Sequence, residues 1–147
     1  MKTVAKPWGR EVWFAEQKKY VGKLLEIKKG HRLSKQYHKL KHETLYTLEG
    51  RYLMELNGRK KIMRPGSVVV IPPRAVHRME ARWGDVTLVE VSTPEVWDVV
   101  RLDDDYGRME KPGPAPLLLS MLNQARHLRV YWPVCVSAII PRTGWLK

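Results

Sequence analysis

The chain has 147 residues, 44% of them hydrophobic, with 10 Gly, 10 Pro and a formal net charge of +12. That length suits one domain with a fair core, and the composition excludes a fibrous or low-complexity chain. A single cysteine, Cys135, excludes an internal disulfide and points to a reducing, cytoplasmic setting.

The first 20 residues are charged throughout and do not read as a signal peptide. No apolar run approaches the roughly 20 residues of a membrane span. The basic residues are not interleaved with aromatics, so neither a nucleic-acid platform nor a membrane partner is expected. Most of the positive charge reads as solvated surface. The remainder suits an anion such as a phosphorylated sugar.

In chain order, Lys6-Pro7-Trp8-Gly9 contains a turn. A strand is expected at about 10–15, with Trp8, Trp13 and Phe14 packing on the body of the fold. Tyr20 to Lys28 reads as the next strand. Lys23, Leu25 and Ile27 share its inner face, which aims Lys23 inward near a mouth. The plainer reading of Lys23 is a lysine whose stem packs and whose head reaches water. Strands are expected at Leu33–His38 and Glu43–Glu49, separated by a polar bend at Lys39–His42. Arg51–Leu56 and Arg59–Met63 flank Asn57-Gly58, a strong hairpin signal because both residues tolerate positive φ. Ser67–Ile71, His77–Met79 and Val86–Val91 complete about eight to ten short strands. Glu95–Leu102 is a short strand or turn.

After Glu110 the pattern changes. Pro112, Pro114 and Pro116 make an extended linker. Leu117–Leu128 could form a short amphipathic helix, and Arg129–Ile140 reads as an apolar β segment. From Leu117 on there is no acidic residue, and Arg126, Arg129, Arg142 and Lys147 are basic. The expected organisation is a barrel over 1–110 and a Pro-rich, then apolar and basic, C-terminal extension over 111–147. Close strand spacing without an early helix predicts an all-β sandwich or barrel. The apolar tail and open sheet edges lead us to expect a homodimer.

Four side chains could converge inside such a barrel: Gln36 and His38, two apart on one strand face, Glu43 at the start of a strand, and His77 past a Pro-Pro turn. Two imidazoles, a carboxylate and an amide oxygen suit a divalent first-row ion. His31 and His42 fall off this spacing and read as surface residues, His127 as structural. Tyr46 has the opposite strand parity to Glu43 and should pack outward.

Gly30, Gln36, His38, Glu43 and Gly50 are spaced as in the first cupin motif, with Gln36 where histidine is usual. Gly66, Pro72 and His77 are spaced as in the second, with Arg74 and Ala81 as departures. Lys6-Pro7-Trp8-Gly9, Leu33-Ser34 with Gln36-Tyr37-His38, Ile71-Pro72-Pro73 with His77-Arg78, and Asp105-Tyr106-Gly107-Arg108 resemble the cupin domain of type II phosphomannose isomerases over about residues 6–110. That resemblance implies a double-stranded β-helix, or jelly-roll barrel, and a metal-dependent conversion of mannose 6-phosphate to fructose 6-phosphate. The Gln-x-His pair is similar to the first zinc ligands of type I enzymes. It implies zinc, with manganese, iron or nickel as alternatives.

Isomerisation needs an acid–base group and a phosphate anchor. The candidates for the first are Lys23, Glu90 and Arg78. Arg108, with Lys23, is the expected anchor. Two other readings stand beside this one. One is a non-catalytic or regulatory cupin that binds a sugar or sugar phosphate. The other is a metal-dependent oxygenase, since two His and one carboxylate also serve non-haem iron.

Overall fold

The computed structural model describes residues 1–109. The linker, helix, β segment and His127 expected in the extension lie outside the described residues. Eleven strands follow in chain order, with no helix among them: β1 (Lys2–Lys6), β2 (Gly9–Glu16), β3 (Val21–Ile27), β4 (Lys35–Tyr37), β5 (Glu43–Glu49), β6 (Tyr52–Leu56), β7 (Arg59–Met63), β8 (Val68–Ile71), β9 (His77–Glu80), β10 (Val86–Ser92) and β11 (Val100–Asp103). They form two antiparallel sheets, one in the order β1-β2-β3-β10-β5-β8 and the other β11-β4-β9-β6-β7. The all-β expectation holds.

The period-2 alternation sets what faces inward. Along β3, Val21, Lys23, Leu25 and Ile27 are buried; on β10 the inner row is Val86, Leu88, Glu90 and Ser92; on β5 it is Glu43, Leu45 and Thr47. Leu25, Ile27, Leu45, Val86 and Leu88 of these rows join Tyr52, Met54, Met63, Ile71 and Met79 in one core cluster. The hairpin at Asn57-Gly58 forms as expected, with φ of 48° and 78°, and pairs β6 with β7 from Leu56↔Arg59 to Tyr52↔Met63.

Three details depart from the sequence expectations. β1 was not foreseen, because Val4 is the only apolar residue of its period-2 pattern that is even half-buried. Only three residues, Lys35–Tyr37, form β4, rather than all of Leu33–His38. Phe14 is 47% exposed; it follows the inward Trp13, so alternation puts it on the outer face, where its ring lies over Gly22. Trp8, by contrast, is buried. Gly9 beside it has φ +146°, and a Cβ there would meet the Glu26 carbonyl oxygen at 1.9 Å. Close backbone approach therefore accounts for the glycine of the Lys-Pro-Trp-Gly stretch.

Candidate metal centre and pocket

The cross-strand register builds the site. On the second sheet, Arg101 of β11 lies opposite Gln36 of β4, and Gln36 opposite His77 of β9. On the first, Lys23 lies opposite Glu90, and Ser92 opposite Glu43. Directly opposed residues share a face, so these rows meet across the interior at one end of the barrel.

His38, Glu43 and His77 are all buried, and one ligating atom from each lies within 4.8 Å of the others. Glu43 Oε1 is 3.2 Å from His77 Nε2 and 3.6 Å from His38 Nε2. Each imidazole is oriented from behind. Nδ1 of His77 donates to the Ala75 carbonyl at 2.9 Å, and Nδ1 of His38 donates to the Asp98 carbonyl. A carbonyl can only accept, so both Nδ1 atoms carry a proton, and in the neutral ring the Nε2 lone pair faces the carboxylate. Burial pushes the His77 imidazole below its usual pKa despite the opposing pull of Glu43, which favours the neutral form that a metal needs. Burial alone would raise the Glu43 carboxyl, but His38, Lys41 and His77 together hold it below the usual carboxylate range.

The donor set fits a divalent ion, and His38 Nε2 is buried with no hydrogen-bond partner. A buried polar atom left in that state has a cost that an ion would remove. Gln36 reaches the edge of the cluster with its amide nitrogen inward, 3.5 Å from His77 Nε2. Its oxygen, the atom expected to hold the ion, instead accepts from Ser34 Oγ at 2.6 Å. Because the Ser34 hydroxyl can donate or accept, the amide can turn over and keep that bond.

A cavity of about 140 Å³ opens beside this cluster, lined by Gln36, His38 and Glu43 and also by Lys23, Glu90 and Arg108. The head of Lys23 does not reach water, as the plainer reading had it. Its Nζ is buried 3.3 Å from Glu90 Oε1 and 4.4 Å from the Trp13 ring centroid. Arg108 lines the cavity but is tied to Asp104, with Nη2 2.5 Å from Oδ1. Arg78 is on the far side of β9 from His77, paired with Asp103 at 2.8 Å, and does not line this cavity. Tyr46 faces outward at 42% exposure, as its parity predicted. His42 is exposed. His31 is half-buried and shares a 3.1 Å hydrogen bond with Tyr106 Oη.

Two residues were missed from sequence. Lys41, in the expected polar bend, is 4% exposed. Its Nζ contacts Glu43 Oε2 and lies 2.7 Å from Glu90 Oε1. Arg101 lines the cavity, its Nε is buried without a partner, and no carboxylate pairs with it among the described residues. Only the β4–β11 register, invisible in a linear pattern, reveals either the facing of Arg101 or its place beside Gln36.

Residues 23–91 match the family described as "Cupin domain". A comparison with curated proteins finds no match. Among solved structures, the chain is similar to KdgF from a Halomonas species, at 19% identity and TM-score 0.60, covering 64% of this chain and 86% of that one. It is similar to an RmlC-like cupin from Shewanella frigidimarina, at 16% and 0.58, covering 63% and 83%. A third is a sugar phosphate isomerase of the cupin superfamily from Silicibacter pomeroyi, at 17% and 0.52, covering 57% of this chain and 58% of that one. These likenesses concern the fold. The two antiparallel sheets, the cupin-domain match over residues 23–91 and these neighbours agree on a cupin-type, double-stranded β-helix fold.

Proposed function

We propose that the protein is a metal-dependent isomerase of a phosphorylated sugar, of the mannose 6-phosphate to fructose 6-phosphate type. The observation that carries this reading is the convergence, in one cavity, of a His/Glu cluster with a buried carboxylate and several cations. The resemblance to type II phosphomannose isomerases at Lys6–Gly9, Gln36–His38, His77-Arg78 and Tyr106–Arg108 points the same way, as does the likeness in fold to the sugar phosphate isomerase from Silicibacter pomeroyi.

His38, Glu43 and His77 would hold the ion, with Gln36 as a fourth donor after an amide turn. Zinc is the first candidate. When bound, the ion supplies Lewis-acid polarisation of the sugar carbonyl. Glu90, a buried carboxylate facing the cavity, is the proposed base. It takes the proton from the carbon next to the carbonyl and returns it to the neighbouring carbon, so the reaction balances as an isomerisation. Lys23 and Lys41, both within ion-pair distance of Glu90, hold it in place. Arg101 is the anchor for the phosphate, because its guanidinium faces the cavity without a carboxylate and suits a phosphate in a fork of hydrogen bonds. Arg108, already held by Asp104, shapes the rim.

The test is a coupled assay for fructose 6-phosphate formed from mannose 6-phosphate, with Zn, Mn, Co and Fe(II) in turn. Turnover with at least one is expected, and its absence in metal-loaded protein would overturn the reading in favour of a sugar-phosphate-binding cupin. A second reading, a metal-dependent oxygenase, is favoured by one observation: with the Gln36 oxygen on Ser34, the remaining donors are two His and one carboxylate. Oxygen consumption with Fe(II), without sugar turnover, would select it.

A further inference from the structure

Glu43 uses its two oxygens differently. Oε1 faces both imidazole Nε2 atoms. Oε2 is taken by Lys41 Nζ, and the same ammonium reaches Glu90 Oε1 at 2.7 Å. The three side chains are nearly inaccessible, at 5%, 3% and 5% exposure, so water does not compete for these contacts.

The Lys41 position is itself fixed. Asp98, buried, accepts from the backbone N–H of Lys41 at 3.2 Å and from that of Leu40, and its carbonyl accepts from His38. One buried residue thus anchors both the bend that presents Lys41 and the imidazole opposite it. A lysine so placed does more than neutralise charge. A carboxylate can grip a cation with one oxygen or with two, and an ammonium on the second oxygen removes the two-oxygen option.

We propose that Lys41 is a positioning residue that holds Glu43 to a single-oxygen contact with the ion and couples the ligand cluster to Glu90. The inference rests on the metal reading above. An ion held this way would keep a coordination position for a substrate oxygen, and would be more electrophilic than one gripped by a free carboxylate, because part of the Glu43 charge is spent on Lys41. In this arrangement the metal ligand and the proposed base share one cation, so a change at either is felt by the other.

The probe is Co(II), whose visible absorption weakens as its coordination number rises, titrated into purified full-length protein. Wild type is expected to bind one ion with strong absorption. Lys41→Met leaves all the ligands in place, frees Glu43 Oε2, and removes a positive charge next to the ion. It should bind Co(II) about tenfold more tightly or better, with weaker absorption. Lys41→Arg should restore both wild-type values.

If Lys41→Met does not fold, because two buried carboxylates lose their cation, Lys41→Met/Glu90→Gln removes the excess charge and should give the same weakened spectrum. Glu90→Gln alone leaves Lys41 on Glu43 and should keep the strong wild-type absorption, with weaker Co(II) binding because the lysine then serves Glu43 alone. Wild-type affinity and absorption in both Lys41→Met and the double variant would overturn the role of Lys41 and leave the metal reading standing. No Co(II) binding by wild type would overturn both, the metal reading first.

Discussion

The interior of this barrel has two ends, built on the same three strands. At one end the inner faces of β3, β5 and β10 carry Lys23, Glu43 and Glu90; two residues along each strand they carry Leu25, Leu45 and Leu88. All six are buried, so the side chains decide what each end does. The leucine row fills space and joins the core cluster. The charged row fills no core, and its charges are mutually compensated in pairs. It also leaves His38 Nε2 and Ser92 Oγ buried without hydrogen-bond partners. Buried polar atoms in that condition are costly. With two buried carboxylates beside two imidazoles, this end is organised for a ligand rather than for stability.

The comparison predicts a double dissociation. Leu88→Ala, at a residue 0% exposed, should have the largest effect on stability, a loss of about 2–5 kcal/mol in chemical denaturation. Its ion stoichiometry should stay that of wild type while it remains folded. His38→Ala should do the reverse. Its stability without metal should fall less than that of Leu88→Ala, because Nε2 has no partner and only the bond from Nδ1 to the Asp98 carbonyl is lost. It should lose the stabilisation that an ion gives wild type, about 2.7 kcal/mol at a hundredfold excess over Kd. A folded Leu88→Ala that no longer binds the ion, or a His38→Ala that is still stabilised by it, would break the distinction.

Arg101→Ala and Arg108→Ala sharpen the picture at the mouth. The unpaired Arg101 should matter more to substrate, raising KM by at least about tenfold with little change in melting temperature. Arg108→Ala should instead lower melting temperature, because it strips Asp104 of its partner.

Asp104 also sets an acid dependence. Burial alone would raise its carboxyl, but the Arg108 side chain and the backbone amides of Arg108 and Tyr106 hold it at about 2, against an ordinary 3.8. A carboxyl depressed in the folded state stabilises above its unfolded pKa and loses that contribution as pH falls through its folded one. Stability contributed by Asp104 should therefore be complete above about pH 4 and fade towards pH 2. The acid limb of denaturation should be shallower in Asp104→Asn. The smallest effect is expected at the exposed Arg10–Glu26 pair, where Arg10→Ala should not measurably change melting temperature.

How legible was this in the sequence? The strands were, because alternation over β3, β5 and β10 and the Asn57-Gly58 turn follow from local chemistry. So were His38, Glu43 and His77, whose spacing matched two motifs. Lys41 was not. Its bend reads as polar and solvated, and its burial depends on Asp98, 57 positions away. Nor was the division of labour between Arg101 and Arg108. Only three-dimensional pairing shows that Asp104 occupies one arginine while, among the described residues, no carboxylate pairs with the other. Phe14 was misplaced on its apolar character alone, although alternation from Trp13 turns it outward.

The exposed Tyr46, Val68, Val70 and Val91 lie on the outer face of β5, β8 and β10. They keep the homodimer proposal open to light scattering, with a dimer expected and a monomer at high concentration counting against it.

The central claim is that one end of the barrel holds a divalent ion on His38, Glu43 and His77. Elemental analysis of protein loaded with Zn(II) and desalted, beside His38→Ala and His77→Ala, tests it most directly. The account predicts about one ion per wild-type chain and essentially none in either variant. No ion in folded wild-type protein, or the same ion content in all three, would contradict it.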